Sequence, residues 1–376
     1  MRSLTFSDCV ELVGTACPPF SGKKKYVSTG AVDIDHIVDS ETENVDYAGR
    51  PSRANLVTVA GDVLFAKMQG TKKTLLITDA LAESIYSTGF CAVRPKKGIL
   101  TERCLYHLLT SQTFLAQKDK HCSGATQKAI TNAGLEKIVI NVPNLEEQET
   151  IADLLDAINR IIAQRQRQLF ALDTLIKARF VEMFGDPIHP IEHESLGEVA
   201  IVERGRFSPR PRNDPKYYNG EYPFIQTGDI ASCNHRLYDF RQTLNASGIK
   251  VSKRFDKGTI VIAIVGATIG ATAILQRAVY APDSVIGITP HTYNNVFLET
   301  LLQFWQPELQ AIAPESARAN INLSILDGIP IIKANLLHQQ QFAAFVSQVD
   351  KSKLSILQGL EKLEILKQSL MQQYFG

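Results

Sequence analysis

Phe184-Gly185 closes a stretch, residues 130–185, that is written a second time 191 positions later and ends there as Phe375-Gly376. In that register Ile130, Leu135, Ile138, Ile140, Asn144, Leu145, Gln148 and Ala152 fall on Ile321, Leu326, Ile329, Ile331, Asn335, Leu336, Gln339 and Ala343. Leu169, Leu172 and Leu175 fall likewise on Leu360, Leu363 and Leu366. These 13 identities over 56 ungapped positions compare with about four expected from ordinary composition. The chain is two copies of one unit, and the period is too long for a solenoid, so each copy is expected to be a domain with an appended helix.

The appended helix is written as a heptad. Ile151, Leu155, Ile158, Ile162, Arg165, Leu169, Leu172, Ile176, Arg179 and Met183 step by four and three, and Phe342, Val346, Val349, Lys353, Ile356, Leu360, Leu363, Lys367, Leu370 and Tyr374 repeat the pattern. Heptads sustained over this length, with only Gly359 as a breaker, predict coiled-coil helices. A parallel pair would set Arg165 against Ile356 and Lys353 against Ile162, burying unpaired cations. An antiparallel pair whose facing residue numbers sum to 526 sets Arg165 beside Glu361 and Lys353 beside Asp173, and is therefore expected. Ahead of each helix lie short apolar runs broken by glycine: residues 61–66, 74–77 and 90–93 in the first copy, and 258–263, 272–275 and 285–288 in the second. They read as strands of a mixed α/β (α+β) domain, each set followed by one helical stretch, Arg103 to Ala116 and Val296 to Ile312.

With 44% hydrophobic and 21% charged residues the composition is that of an ordinary globular protein, silent on function. The net charge of +1 hides two basic runs, Lys23-Lys24-Lys25 and Arg204, Arg206, Arg210 and Arg212, at comparable places in the two copies. One such run alone reads as solvated surface; two favour a shared role. Six cysteines without a C-x-x-C pair indicate neither zinc nor a disulfide framework. No signal-like leader and no run of 18 apolar residues is present, so a cytoplasmic protein without membrane spans is expected.

No active site assembles from the motifs. Cys17-Pro18-Pro19-Phe20 has cysteine where an amino-methyltransferase has Asn or Asp, and reads as a turn. Gly266-Ala267-Thr268-Ile269-Gly270-Ala271 matches neither phosphate-loop pattern and reads as glycines for tight strand turns. The eight histidines show no zinc-protease spacing, and Ser123-Gly124-Ala125 lacks the hydrolase elbow. What remains is recognition: cations interleaved with aromatics and amides, able to meet phosphates and base edges. A non-catalytic DNA reader fits best; a stand-alone DNA-modifying enzyme with degenerate motifs and a coiled-coil protein-binding scaffold stay open.

Further motifs carry a family resemblance. Ser123-Gly124-Ala125-Thr126-Gln127-Lys128-Ala129-Ile130, Ile138-Val139-Ile140-Asn141-Val142-Pro143, Leu145-Glu146-Glu147-Gln148 and Phe184-Gly185-Asp186-Pro187 resemble the specificity (S) subunit of type I restriction-modification systems. The second copy has Ser316-Ala317-Arg318-Ala319-Asn320-Ile321, Ile329-Pro330-Ile331-Ile332, Gln339-Gln340-Gln341 and Phe375-Gly376, with Gln226-Thr227-Gly228-Asp229-Ile230 and Ser28-Thr29-Gly30 upstream. The resemblance implies two target recognition domains, residues 1–144 and 186–335, joined by antiparallel conserved helices, residues 145–185 and 336–376. Each domain would bind half of a split, asymmetric site in double-stranded DNA. Two methyltransferase (M) subunits and restriction (R) subunits would be the partners, with the S-adenosylmethionine, ATP and magnesium sites on them and no cofactor on this chain. Candidate DNA contacts are Lys23, Lys24, Lys25, Tyr26, Lys67, Lys72, Lys73, Thr126, Gln127 and Lys128 in the first copy, and Arg204, Arg206, Arg210, Arg212, Lys216, Tyr217 and Arg318 in the second.

Overall fold

A computed structural model describes residues 1–313 and 320–376, and Arg318 lies outside the described residues. The chain forms two compact units, Met1–Gln166 with Leu357–Gly376, and Arg167–Ile356. In the first unit, an antiparallel sheet runs in the order Val10–Val13, Phe90–Pro95, Val63–Ala66, Thr74–Leu76. Its central strand is buried on both faces. Side chains alternate along a strand, so Val63 and Phe65 enter a core shared with the helices, whereas Leu64 and Ala66 enter a core shared with a second sheet. That second sheet runs Glu43–Val45, Lys24–Val27, Ile85–Ser87, Ala54–Leu56. The second unit repeats the arrangement: Ile260 and Ile262 face the helical core, Val261 and Ala263 the other. All six apolar runs form strands.

The two copies share their main strand pairings, although the larger sheet of the second gains a fifth strand, Arg236–Leu237, parallel to Thr272–Leu275. Arg2–Thr5 pairs antiparallel with Val139–Val142, and His193–Ser195 with Pro330–Ile332, both partners displaced by the same 191 residues. In each second sheet the two central strands run parallel, Lys24–Val27 with Ile85–Ser87 and Tyr218–Phe224 with Val279–Ala281. Of the repeated identities, Ile130, Leu135, Ile138 and Ile140 and their counterparts Ile321, Leu326, Ile329 and Ile331 are all buried, whereas Leu145 with Leu336 and Leu175 with Leu366 are exposed. Gln148 and Gln339, 0% and 2% exposed, do one job twice. Each side-chain oxygen accepts the backbone N–H of the residue capping a helix, Thr101 at 2.9 Å and Asn294 at 2.8 Å, tying that helix to the first turn of a long one.

The expected single helical stretches are instead helix pairs. Glu102–Thr110 stops at Ser111, whose hydroxyl accepts from the Phe114 N–H and starts Gln112–Lys120. Asn295–Phe304 stops at Trp305, and Pro307 in the first turn of Gln306–Ile312 has no N–H to continue the ladder. Both helix pairs are docked by polar groups, half-exposed ion pairs around a buried imidazole in the first unit and a buried carboxylate in the second. Arg103 reaches Asp156 at 2.6 Å and Asp153 at 2.8 Å, and His107, 1% exposed, meets Asp156 at 2.8 Å. Burial holds the His107 pKa below its usual value despite that carboxylate. In the second unit the buried Glu299 accepts from Thr272 and Gln303 and pairs with His235 at 3.0 Å. There burial opposes the imidazolium, but the Glu299 carboxylate outweighs it and raises the His235 pKa.

The long helices are Leu145–Phe184 and Leu336–Phe375, 40 residues each, about 60 Å at 1.5 Å per residue. Gly359 does not interrupt the second. They run antiparallel in the expected register. Within the second unit the buried Lys353 ammonium is bonded to Asp173, and the Phe184 and Phe342 rings lie 5.8 Å apart. Within the first, Ile151 and Leu155 share a buried cluster with Phe375 and Met371. Arg165 and Glu361 both occupy exposed positions. Toward the helix C-termini the buried face departs from the heptad reading. Arg179 turns to Glu182 at 2.7 Å while Phe180 is fully buried, and Met371 and Phe375 are more buried than Leu370 and Tyr374. A straight α-helix drifts about 20° per heptad, and here the drift carries Phe180 against Phe297 and Phe342.

The Lys353 pair gives a stability test. Asp173→Ala leaves an ammonium that is 3% exposed without its carboxylate, and should destabilise the chain to urea by about 1–3 kcal/mol. Adding Lys353→Met should recover most of that loss. An unchanged unfolding midpoint for the single variant would contradict the register.

Candidate DNA interface

In the first unit the structure brings together two candidate groups that are far apart in sequence. Strands Val63–Ala66 and Thr74–Leu76 are joined by a hairpin carrying Lys67, Lys72 and Lys73. Met68 of that hairpin bridges Ala129, and the Gln69 N–H donates to the Lys128 carbonyl at 2.9 Å, so Thr126, Gln127 and Lys128 stand beside it, all exposed. The hairpin is held from below by Lys118, 0% exposed, whose ammonium donates to the Met68 and Thr71 carbonyls at 2.9 Å each. Asp119 accepts from the Gly70 N–H. Gly124 has φ +133°, and a Cβ there would lie 2.4 Å from the Gln127 carbonyl oxygen, so the turn presenting these side chains admits only glycine. The Ser-Gly-Ala stretch is a turn in support of this surface.

Lys23, Lys24, Lys25 and Tyr26 lie apart from it, on the second sheet and the approach to it. Lys25 is paired with Asp39 at 2.9 Å and Lys24 sits over the Phe20 ring. Tyr26, 6% exposed, packs in a cluster with Cys17, Val45, Ala54 and Ile85, so its ring serves the core and offers no face to a ligand. Lys67 and Lys73 each donate to backbone carbonyls, of Thr88 and Thr29. Their charge therefore stands at a fixed place, while Lys72 and Lys128 remain exposed.

In the second unit the equivalent hairpin is the glycine-rich segment after Ile260–Ala263: Val265 bridges Asn320 as Met68 bridges Ala129. Gly266 and Gly270 take φ +61° and +80°, which fixes their role as turn glycines. The basic arm lies elsewhere. Arg212 grips both oxygens of Asp283 at 2.6 and 2.8 Å, Arg210 stands 3.6 Å from the same carboxylate, and Arg204 donates to the Asp283 carbonyl. Arg206 reaches the Ser252 carbonyl. Lys216 pairs with Asp214 at 2.9 Å and covers the Tyr217 ring, and that contact holds the Asp214 carboxyl below its usual range and the Lys216 ammonium above its own.

Beside this arm opens a cleft of about 650 Å³. Its wall combines the half-buried rings of Tyr218 and Phe240, backed by the buried Phe207, with amides and guanidinium groups (Asn213, Asn219, Gln226, Arg241, Gln242). Arg241 is anchored at 3.3 Å on the buried Asp229. Amides and guanidinium groups are the side chains that read base edges in a DNA groove. Arg212 also lines the cleft, and it, with Asn213, Tyr218 and Asn219 beside it, lies in the basic and aromatic segments that sequence reasoning singled out for recognition. Gln226 entered through a motif alone, and Arg241 and Gln242 sit in Phe240-Arg241-Gln242-Thr243, whose mixed polarity gives no periodic signal.

The profile of the family described as "Type I restriction modification DNA specificity domain" matches residues 17–170 and again residues 190–366. The MjaIX specificity subunit of Methanocaldococcus jannaschii is 25% identical over 183 residues, 41% of this chain and 41% of that one. The HindI specificity subunit of Haemophilus influenzae is 24% identical over 164 residues, covering 43% of this chain and 35% of that one. The chain thus spans under half the length of these two relatives. A chain solved in work on complex assembly and conformational transition of the type I R-M system superposes with a TM-score of 0.56 at 21% identity, over 99% of this chain and 97% of that one. The S subunit from M. genitalium superposes with a TM-score of 0.55 at 14% identity, over 100% and 96%. Two matches to one family, on the two halves of an internal repeat that share their main strand pairings, place this chain among the type I restriction-modification DNA specificity proteins.

Proposed function

We propose that this chain is the non-catalytic sequence reader of a type I restriction-modification assembly, each copy of the repeat recognising one half of a split, asymmetric site in double-stranded DNA. The observation that carries the reading is a repeated frame with unlike surfaces. The main strand pairings, the Gln148 and Gln339 anchors and the helix register recur, while the exposed hairpins and arms carry lysines with Thr126 and Gln127 in one copy and arginines, amides and tyrosines in the other. A shared frame with divergent loops suits two half-sites of different sequence. The recognition modules correspond to residues 1–144 and 186–335, and the long helices to the platform for two M subunits and, for cleavage, R subunits. Exposed apolar residues on those helices support a partner role: Leu154, Ile161 and Ile365 in the first unit, Phe170, Leu175 and Leu354 in the second. S-adenosylmethionine, ATP and magnesium would act on the partners, in the cytoplasm. No described helix is long and apolar enough to cross a membrane.

Incubating the purified chain with DNA and labelled S-adenosylmethionine tests the reading. Methyl transfer should require an added M subunit, and transfer by the chain alone would identify it as a self-sufficient enzyme. The arginine arm gives a second test. Because Asp283 occupies Arg212 and flanks Arg210, Asp283→Asn should free cations for phosphate. DNA affinity at low salt should rise several-fold, and the slope of log affinity against log salt should steepen by about one to two. Unchanged affinity and slope in a filter-binding titration would remove this arm from the interface.

A further inference from the structure

The outer strand of the second unit's four-stranded sheet, Gln242–Leu244, opens with a glutamine that neither sheet nor core employs. Gln242 pairs in register with Phe224, and Gln226 follows two residues beyond Phe224. The Gln226 side-chain Nε2 donates to the Gln242 Oε1 at 3.2 Å. The backbone that carries both amides is fixed from behind: Phe224 and Leu244 are 1% and 0% exposed, and the Gln226 backbone N–H donates to the buried Asp229 at 2.8 Å. Gln242 itself is exposed on the cleft wall.

A glutamine buttressed in this way presents a defined pair of atoms. Its oxygen, having taken one hydrogen bond from Gln226, keeps a lone pair, and its own NH₂ donates outward. An acceptor beside a donor is the complement of adenine in the major groove, where N6–H₂ donates and N7 accepts; guanine shows two acceptors, and cytosine only a donor. The geometry points to Gln242, held by Gln226, as a specificity-determining residue that reads an adenine in the half-site bound by the second unit. This inference rests on the DNA-reading function proposed above. The first unit carries a different group at the same place. Glu43, exposed at the start of its outer strand, pairs with Tyr26 as Gln242 pairs with Phe224. One frame therefore offers an amide in one copy and a carboxylate, which only accepts, in the other.

The test measures binding of the full chain to its selected duplex and to every single base-pair replacement of it, for wild type, Gln242→Ala, Gln242→Glu and Gln226→Ala. Gln242→Ala should reduce the preference for adenine about tenfold at one position of one half-site and leave every other position unchanged. Gln242→Glu should turn the preference there toward cytosine, whose N4–H₂ suits an acceptor. Gln226→Ala should weaken the same position by less. A profile identical to wild type, or an equal loss for all duplexes as from a phosphate contact, would overturn the assignment while leaving the DNA-reading function standing. A wild-type chain with no base preference anywhere would bring down that function and this inference with it.

Discussion

One register of two antiparallel helices constrains everything else in this chain. Facing residue numbers sum to 526 where Asp173 meets Lys353, and the same sum relates Phe184 to Phe342, Leu155 to Met371 and Ile151 to Phe375. A buried ammonium is tolerable only beside its carboxylate, so a slip by one turn costs more than a seam contact. The C-terminal residues are consequently part of the first unit: Phe375 and Met371 lie in the same core as Phe6, Phe65 and Phe114.

On this frame the rest follows by repetition. The first strand of each copy zips onto the strand preceding its long helix, and a buried glutamine ties the first turn of that helix to the capped end of another. These polar contacts leave few buried partners unmet; among the described residues only the Thr58 and Thr74 hydroxyls are buried without one. Rigidity matters for a reader, because discrimination between bases requires donors and acceptors held in place before contact. The hairpin over Lys118 and the glutamine pair over Phe224 are both held in this way, by buried groups that never reach the surface themselves.

Much of the frame was legible in the sequence because many of the identities at the fixed displacement fall on interior positions, where shape and hydrogen bonding admit few substitutes, although Leu145 with Leu336 and Leu175 with Leu366 are exposed. Ile138, Ile140 and Gln148 with their counterparts are such positions. The helix register was legible too, since Lys353 on a seam demands a partner that only one direction supplies. The seam ends were not: Phe180 replaces Arg179 because it packs on Phe297, a residue over a hundred positions away. The interface was less legible still. Nothing local announces that Tyr26 faces inward, that Arg212 lies on Asp283, or that Gln226 and Gln242 meet across two strands. Each depends on a pairing between distant strands, and exposed polar residues carry no periodicity from which to infer it.

The most direct measurement is selection of bound duplex from a random pool by the full chain together with an M subunit, followed by sequencing. The proposed reading by two recognition modules in one chain predicts two short defined blocks of unlike sequence, separated by a constant number of unspecified base pairs. A single uninterrupted block, or a pool that emerges unenriched, would contradict the account.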